Sequence, residues 1–304
     1  MNKVIRIGTR DSELALWQAN TVKNALEQLG HETILVPVKS SGDLNLEQPL
    51  YEMGITGIFT KTLDVAMLTG KIDIAVHSMK DVPTALPKGI VEAAVLKRAN
   101  SNDILIHKGL DFLEEEGVVA TGSLRRKAQW LHKYPHHKVV DLRGNVNTRL
   151  KKLEENDWNG AIFAAAGLER INLTPKNHIA LDWMLPAPAQ GAMLVVAKEE
   201  DEYTREILAA LNHKPSQICV HIEREFLRCL EGGCTAPIGA KATIYDDRLH
   251  FEGALMSLDG KQKIAVEKTV STKDLEFLGK KCAEEVLNNG GMELMKEFKR
   301  ATKI

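Results

Sequence analysis

Apolar positions at the start of the chain switch repeatedly between two periods. Val4–Ile7 and His31–Val38 read as strands, whereas Ser12–Leu29 carries apolar residues at helical spacing and stops at Gly30. Phe59–Leu68 repeats the helical spacing and ends at Gly70, and Ile72–Val76 and Ile90–Leu96 are apolar runs of buried-strand type. This βαβ rhythm predicts a parallel-rich sheet covered by helices.

The rhythm restarts near Asp103. Asp103–Ile106, Val118–Thr121, Val139–Leu142 and Ala161–Ala165 read as strands, with helices over Leu124–Lys133 and Val146–Glu155. Two similar units in tandem predict two lobes with a cleft between them, a favoured place for ligands. The tail has another character. Ile207–Leu211 and Ser216–Leu230 read as helices, followed by strands over Ala240–Tyr245, Leu249–Met256 and Lys263–Val270 and by two closing helices. Tight connections at Asp246-Asp247 and Asp259-Gly260 mark a three-stranded antiparallel meander. The expected fold class is therefore α/β, two lobes plus a small α+β C-terminal domain. Between Ser40 and Gly57 the chain is polar or punctuated by Gly without a period, which fits a binding lid and a surface insertion equally well.

Composition narrows the class. A chain of 304 residues has room for two or three domains, and 44% hydrophobic with 27% charged residues is ordinary for a globular protein. A net charge of −1 offers no overall footprint for nucleic acid. No apolar run reaches the length of a membrane span, and the opening residues lack a signal core. The four cysteines, Cys219, Cys229, Cys234 and Cys282, include no Cys-x-x-Cys pair. That argues against a disulfide framework or a zinc site, so a metal-free protein of the reducing cytoplasm is expected.

Candidate chemistry gathers where strands give way to helices. His77-Ser78-Met79-Lys80-Asp81-Val82-Pro83 follows a buried strand, where open α/β sheets bind ligands. There Asp81 could act as acid, base or cation stabiliser and Lys80 could pair with a carboxylate or form a Schiff base. A capped turn stiffened by Pro83 is the plainer alternative. Thr121-Gly122-Ser123-Leu124-Arg125-Arg126 and Arg143-Gly144-Asn145-Val146-Asn147-Thr148-Arg149 occupy two more such junctions. Cations in a first helical turn oppose the dipole, so Arg125 and Arg126 make sense if an anion lies between them. Arg10, Asp11 and Ser12 open the first helix in the same manner. Guanidiniums grip planar carboxylates with two hydrogen bonds, so a polycarboxylate or phosphate site is expected. Finally, Gly232-Gly233-Cys234 presents a thiol in a loop, whereas the other cysteines lie on helical segments.

Taken together, His77–Pro83, Ser123–Arg126, Leu142–Arg149, Leu185–Ala192 and Leu230–Gly239 resemble the porphobilinogen deaminase (hydroxymethylbilane synthase) family. Gly8–Ser12 and Leu14–Ala19 match its first helix. The resemblance runs in order from residue 4 to about 240, and the tail fits in pattern only. It implies two lobes resembling type-2 periplasmic binding proteins, with residues 1–98 and 191–213 as one domain, 99–190 as the second and 214–304 as the third. It further implies a dipyrromethane cofactor joined by thioether to Cys234 and a catalytic carboxylate at Asp81. Matching positions for carboxylate binding are Arg10, Lys61, Lys80, Arg125, Arg126, Arg143 and Arg149. Ser12, Ser78, Thr121, Ser123 and Gln190 complete the expected binding set. The implied substrate is porphobilinogen, condensed in four additions with loss of ammonia, by a cytoplasmic monomer acting with no membrane or nucleic acid.

The chain also departs from the family pattern. Ser41 stands where Arg is frequent and Thr56 where Lys is frequent. Gly122 replaces a frequent Ser, and Ala189 and Asn147 each replace a frequent Gly. Two rival readings are a solute-binding protein, which leaves Cys234 without a role, and a Schiff-base lyase built on Lys80.

Overall fold

The computed structural model describes residues 3–39, 60–230 and 236–302. The chain opens with β1 (Ile5–Thr9), α1 (Glu13–Gln28), β2 (Thr33–Pro37), α2 (Lys61–Leu68), β3 (Ile74–Ser78) and β4 (Ile90–Val95). Its middle contains β5 (Asp103–His107), β6 (Val118–Ala120), α3 (Leu124–Lys133), β7 (Lys138–Val140), α4 (Val146–Glu155), β8 (Gly160–Ala164), α5 (Ala165–Glu169) and β9 (His178–Ala180). The remainder is β10 (Met193–Lys198), α6 (Glu202–Ala209), α7 (Lys214–Cys229), β11 (Ile238–Tyr245), β12 (Arg248–Met256), β13 (Lys263–Ser271), α8 (Leu278–Val286) and α9 (Met292–Thr302).

The described residues fall into two compact units. Among the described residues, the first draws on 3–39, 60–99 and 191–218, and the second on 100–190, 219–230 and 236–302. In the first, the sheet order is β2-β1-β3-β10-β4. Ala19, Val22 and Leu26 recur along one side of α1 and bury against Ile5, Ile7, Ile74 and Val76. Each large side chain removed from water in this way stabilises by about 1.5–3 kcal/mol. Alternation along β3 follows: Ile74 and Val76 face α1, so Ala75 and His77 face the opposite side of the sheet.

The second unit holds a sheet of order β7-β6-β8-β5-β9 and the meander β11-β12-β13. The two five-stranded sheets share one pattern. Three parallel strands come first, and the fourth, β10 or β5, runs antiparallel to both of its neighbours. Each sheet is parallel-rich as expected, with four strands running one way and one reversed strand that the sequence pattern did not announce. The reversed strand in each lies next to a passage of chain between the units, so no βαβ repeat announces it. The β11–β12 turn is the two-residue Asp246-Asp247 connection expected, with Tyr245 opposite Arg248. Asp259-Gly260 lies instead within a longer loop between Met256 and Lys263. The tail is thus the α+β element with a three-stranded antiparallel sheet. Helix α6 begins five residues earlier than its apolar pattern indicated, because Asp201 caps it by accepting from the Thr204 N–H at 3.1 Å.

Candidate active site

At the carboxyl end of β3 the first unit contains a pocket lined by Arg10, Ser12, Leu14, Ala15, Gln18, Thr60, Val76, His77, Ser78 and Asp81. Its frame follows from local structure. The Thr9 hydroxyl donates to the Ala15 carbonyl at 3.0 Å, tying the end of β1 to the first turn of α1. Ser12 sits at the N-cap of α1 without a side-chain capping bond, so its hydroxyl is not used to close the helix. After β3 the chain makes a single 3₁₀ turn over Met79–Asp81, with Met79 and Val82 buried on either side of it. That turn leaves Asp81 exposed at the pocket edge and Lys80 half-buried. Gln18, only 3% exposed, donates from Nε2 to Ser78 Oγ at 2.9 Å. Burial, reinforced by the charge of Arg10, lowers the pKa of His77 to about 4 and keeps its imidazole neutral.

In the second unit the two strand-to-helix junctions are capped by their own side chains. Ser123 accepts from the Arg126 N–H at the start of α3, and Asn145 accepts from the Thr148 N–H at 2.9 Å at the start of α4. Thr121 is buried, and its hydroxyl accepts from the Ser123 N–H at 3.3 Å. Gly144, at φ +114°, makes the turn into α4 that a side chain would resist.

Arg125 and Arg126 are both buried, and the anion between them is a residue of the chain. Arg126 donates to Asp103 Oδ1 from Nε at 3.0 Å and from Nη2 at 2.7 Å, while Arg125 Nη1 lies 2.8 Å from Asp103 Oδ2. Gln190 donates to the same Asp103 Oδ1 at 2.8 Å. Burial alone would raise the Asp103 pKa, but the two guanidiniums overcome it and hold the carboxyl well below the usual carboxylate range. Arg143 is 7% exposed, burial lowers its pKa, and its Nη1 has no hydrogen-bond partner among the described residues. A buried guanidinium nitrogen lacking an acceptor fits a site built for a carboxylate-bearing group. Arg149 stands half-buried on α4, one helical turn after the cap.

The expected residues therefore distribute over the two units. Arg10, Ser12, Ser78 and Asp81 share the first pocket, with Lys80 beside them and Lys61 exposed at the start of α2. Thr121, Ser123, Arg125, Arg126, Arg143, Arg149 and Gln190 belong to the second unit. Cys234, Ser41 and Thr56 lie outside the described residues. Sequence reading missed Gln18 and Asp103 as parts of these arrangements. Gln18 was detectable as a polar residue on the apolar face of α1, where Val22 and Leu26 follow at four-residue steps. Asp103 opens an apolar strand, and nothing in its local sequence marks it as the partner of Arg126.

Comparison with known proteins adds an independent line of evidence. Residues 5–231 match the family model for the porphobilinogen deaminase dipyromethane cofactor binding domain, and residues 217–288 match that for its C-terminal domain. The porphobilinogen deaminase of Chloroherpeton thalassium is 40% identical over 312 residues, covering 98% of this chain and 99% of that protein. That of Moorella thermoacetica is 43% identical over 302 residues, covering 97% and 96%. Among solved structures, an ABC transporter periplasmic substrate-binding protein from Coxiella burnetii aligns with a TM-score of 0.44 at 14% identity, covering 73% of this chain and 96% of that one.

Proposed function

The chain belongs to the porphobilinogen deaminase family, and from that premise we propose how its own residues carry out the family's reaction. The enzyme condenses four porphobilinogen molecules head to tail with loss of ammonia, then releases 1-hydroxymethylbilane by hydrolysis, a step of tetrapyrrole biosynthesis. A covalent dipyrromethane, attached by thioether to Cys234, supplies the pyrrole carbon on which the chain is built.

The observation that carries the assignment of roles is the pocket at the end of β3, where an exposed carboxylate, Asp81, stands beside Arg10, Ser12 and Ser78. Asp81 stabilises the positive charge that develops on the pyrrole as ammonia departs and takes part in the later proton transfers. Arg10, Lys61 and Lys80 bind acetate and propionate groups of the substrate, assisted by the hydroxyls of Ser12 and Ser78. The second unit's Arg125, Arg126, Arg143 and Arg149, with Thr121, Ser123 and Gln190, hold the carboxylates of the cofactor and of the growing chain. The unpaired Nη1 of Arg143 supports this role, and the Asp103 contacts pre-orient Arg125 and Arg126 for it.

We further assign residues 1–98 and 191–213, 99–190 and 214–304 to three domains. The passages of chain between units at Ala99 and at Gln190 support the first two boundaries. A cytoplasmic monomer is the state we assign, on the family resemblance alone. Intact-mass measurement under denaturing conditions followed by peptide mapping tests the whole reading. One dipyrromethane of added mass on the Cys234 peptide is the expected result. An unmodified chain that gains no adduct after incubation with porphobilinogen would overturn it.

A further inference from the structure

The proposed roles leave the imidazole of the pocket, His77, unused. His77 is 7% exposed and lines the pocket with Arg10 and Asp81. A polar ring in the wall of a pocket is placed to meet a ligand seated there. Its position is also specific. Alternation along β3 points Val76 and Ser78 towards α1, where Gln18 meets Ser78, and turns His77 to the other face of the sheet. Thr60, buried just before α2, lines the same pocket. The pocket thus has a wall on each side of the sheet end, and His77 supplies the polar group of the second wall.

Among the described residues, Arg10 and Asp81 are the other ionisable groups lining this pocket. Arg10 and His77 line the same pocket, so one anionic ligand seated there can meet both groups. A neutral imidazole always retains one N–H, and it can donate that proton to a carboxylate without adding a second positive charge. We propose that His77 is a substrate-binding residue of this enzyme, a neutral hydrogen-bond donor to the pyrrole carboxylate that Arg10 holds. The proposal rests on the porphobilinogen deaminase reading of the pocket and assigns within it a contact that the family resemblance did not supply.

The test uses the holoenzyme and two arms. In the first, steady-state kinetics with porphobilinogen compare the wild type with His77→Phe and His77→Gln. His77→Phe should raise KM about tenfold with kcat within about threefold, the effect of losing one hydrogen bond to a charged group. His77→Gln keeps a neutral donor and should recover most of that loss. In the second arm, the ring nitrogens of His77 are followed by NMR in the wild type while a pyrrole diacid lacking the aminomethyl group is added. The signal should move on binding and keep a neutral chemical shift, and this arm decides the matter if His77→Phe does not fold. An active wild type with an unchanged KM in His77→Phe and an unmoved ring signal overturns the role of His77 alone. A wild type with neither cofactor nor turnover overturns the reading on which it rests.

Discussion

Arg126 directs two of its nitrogens, Nε at 3.0 Å and Nη2 at 2.7 Å, onto the same oxygen of Asp103. Asp103 is fully buried, Arg126 is 5% exposed, and Arg125 and Gln190 reach the same carboxylate. One carboxylate thus faces two guanidiniums, leaving a net positive charge in a buried place. This excess suits a site for an anionic ligand, and it makes Asp103 a positioning residue for both arginines. Removing its charge would leave both guanidiniums without their counter-ion. Asp103→Asn should therefore destabilise the fold by about 3 kcal/mol, read as a lower urea midpoint. Gln190→Leu removes a neutral donor to the same oxygen and should cost only about 1 kcal/mol. Equal losses from the two substitutions would contradict the electrostatic account.

Asp81 offers the opposite situation. It is exposed, and no core contact depends on its side chain. Asp81→Asn should keep the thermal midpoint and the attached cofactor while lowering turnover by at least about a hundredfold. Near-normal activity in a well-folded holo variant would remove Asp81 from the mechanism.

The remaining cysteines provide an internal control for Cys234. Cys219 and Cys282 are buried, and burial pushes the Cys282 thiol up to about 11. Burial, aided by Glu225, also raises the Cys229 pKa. Neither Cys229 nor Cys282 has the thiolate character that a nucleophile needs near neutral pH. Cys234→Ser should then yield a folded chain carrying no dipyrromethane by mass. An adduct mapped to another cysteine would show that the attachment site was misassigned.

These contrasts separate what the sequence makes legible from what it hides. The pairing of strand and helix periods marked the helices α1, α3, α4 and α7 and the strands of the meander, since local patterning and burial agree there. It did not reveal β10, because that strand follows the second lobe in sequence and completes the first sheet by pairing with β3 and β4. The same distinction applies to the candidate site. Asp81 and Arg10 were legible because chemistry-bearing residues followed a strand end and opened a helix. The Asp103–Arg126 pair spans 23 residues and two elements, so only the folded chain shows that the arginines of α3 have an internal anion. Sequence also hid the left-handed backbone at Ala189, a conformation that suits the frequent Gly better than Ala. Ala189 adopts φ +63°, held there by its N–H donating to the buried Glu223 at 2.7 Å.

Gly122, by contrast, occupies a position where a side chain meets backbone. A Cβ there would lie 2.6 Å from the Leu142 carbonyl oxygen, at the junction that leads into α3. Restoring the family's frequent residue with Gly122→Ser should cost this protein about 1–3 kcal/mol through overpacking. A thermal melt with an unchanged or higher midpoint would show that the junction relaxes freely.

Acid should weaken the fold in two stages whose signs can be worked out. His77 has an ordinary pKa near 6.5, and burial with Arg10 lowers it to about 4 in the folded chain. Between those values the unfolded chain gains a proton that the native chain refuses, so stability is full above about pH 6.5 and falls towards pH 4. Asp73 enters at lower pH. Its burial would raise the pKa, but hydrogen bonds from the Arg6 side chain and backbone and from Lys3 pull it down to about 2. Its contribution is present above about pH 4 and disappears as the pH falls towards 2. Each stage corresponds to stability on the order of 2 kcal/mol. Urea midpoints measured at pH 7.5, 5 and 3 should decline stepwise, and His77→Gln should flatten the upper step and reduce the lower one only in part. An upper step of the same size in that variant would assign the loss to other groups.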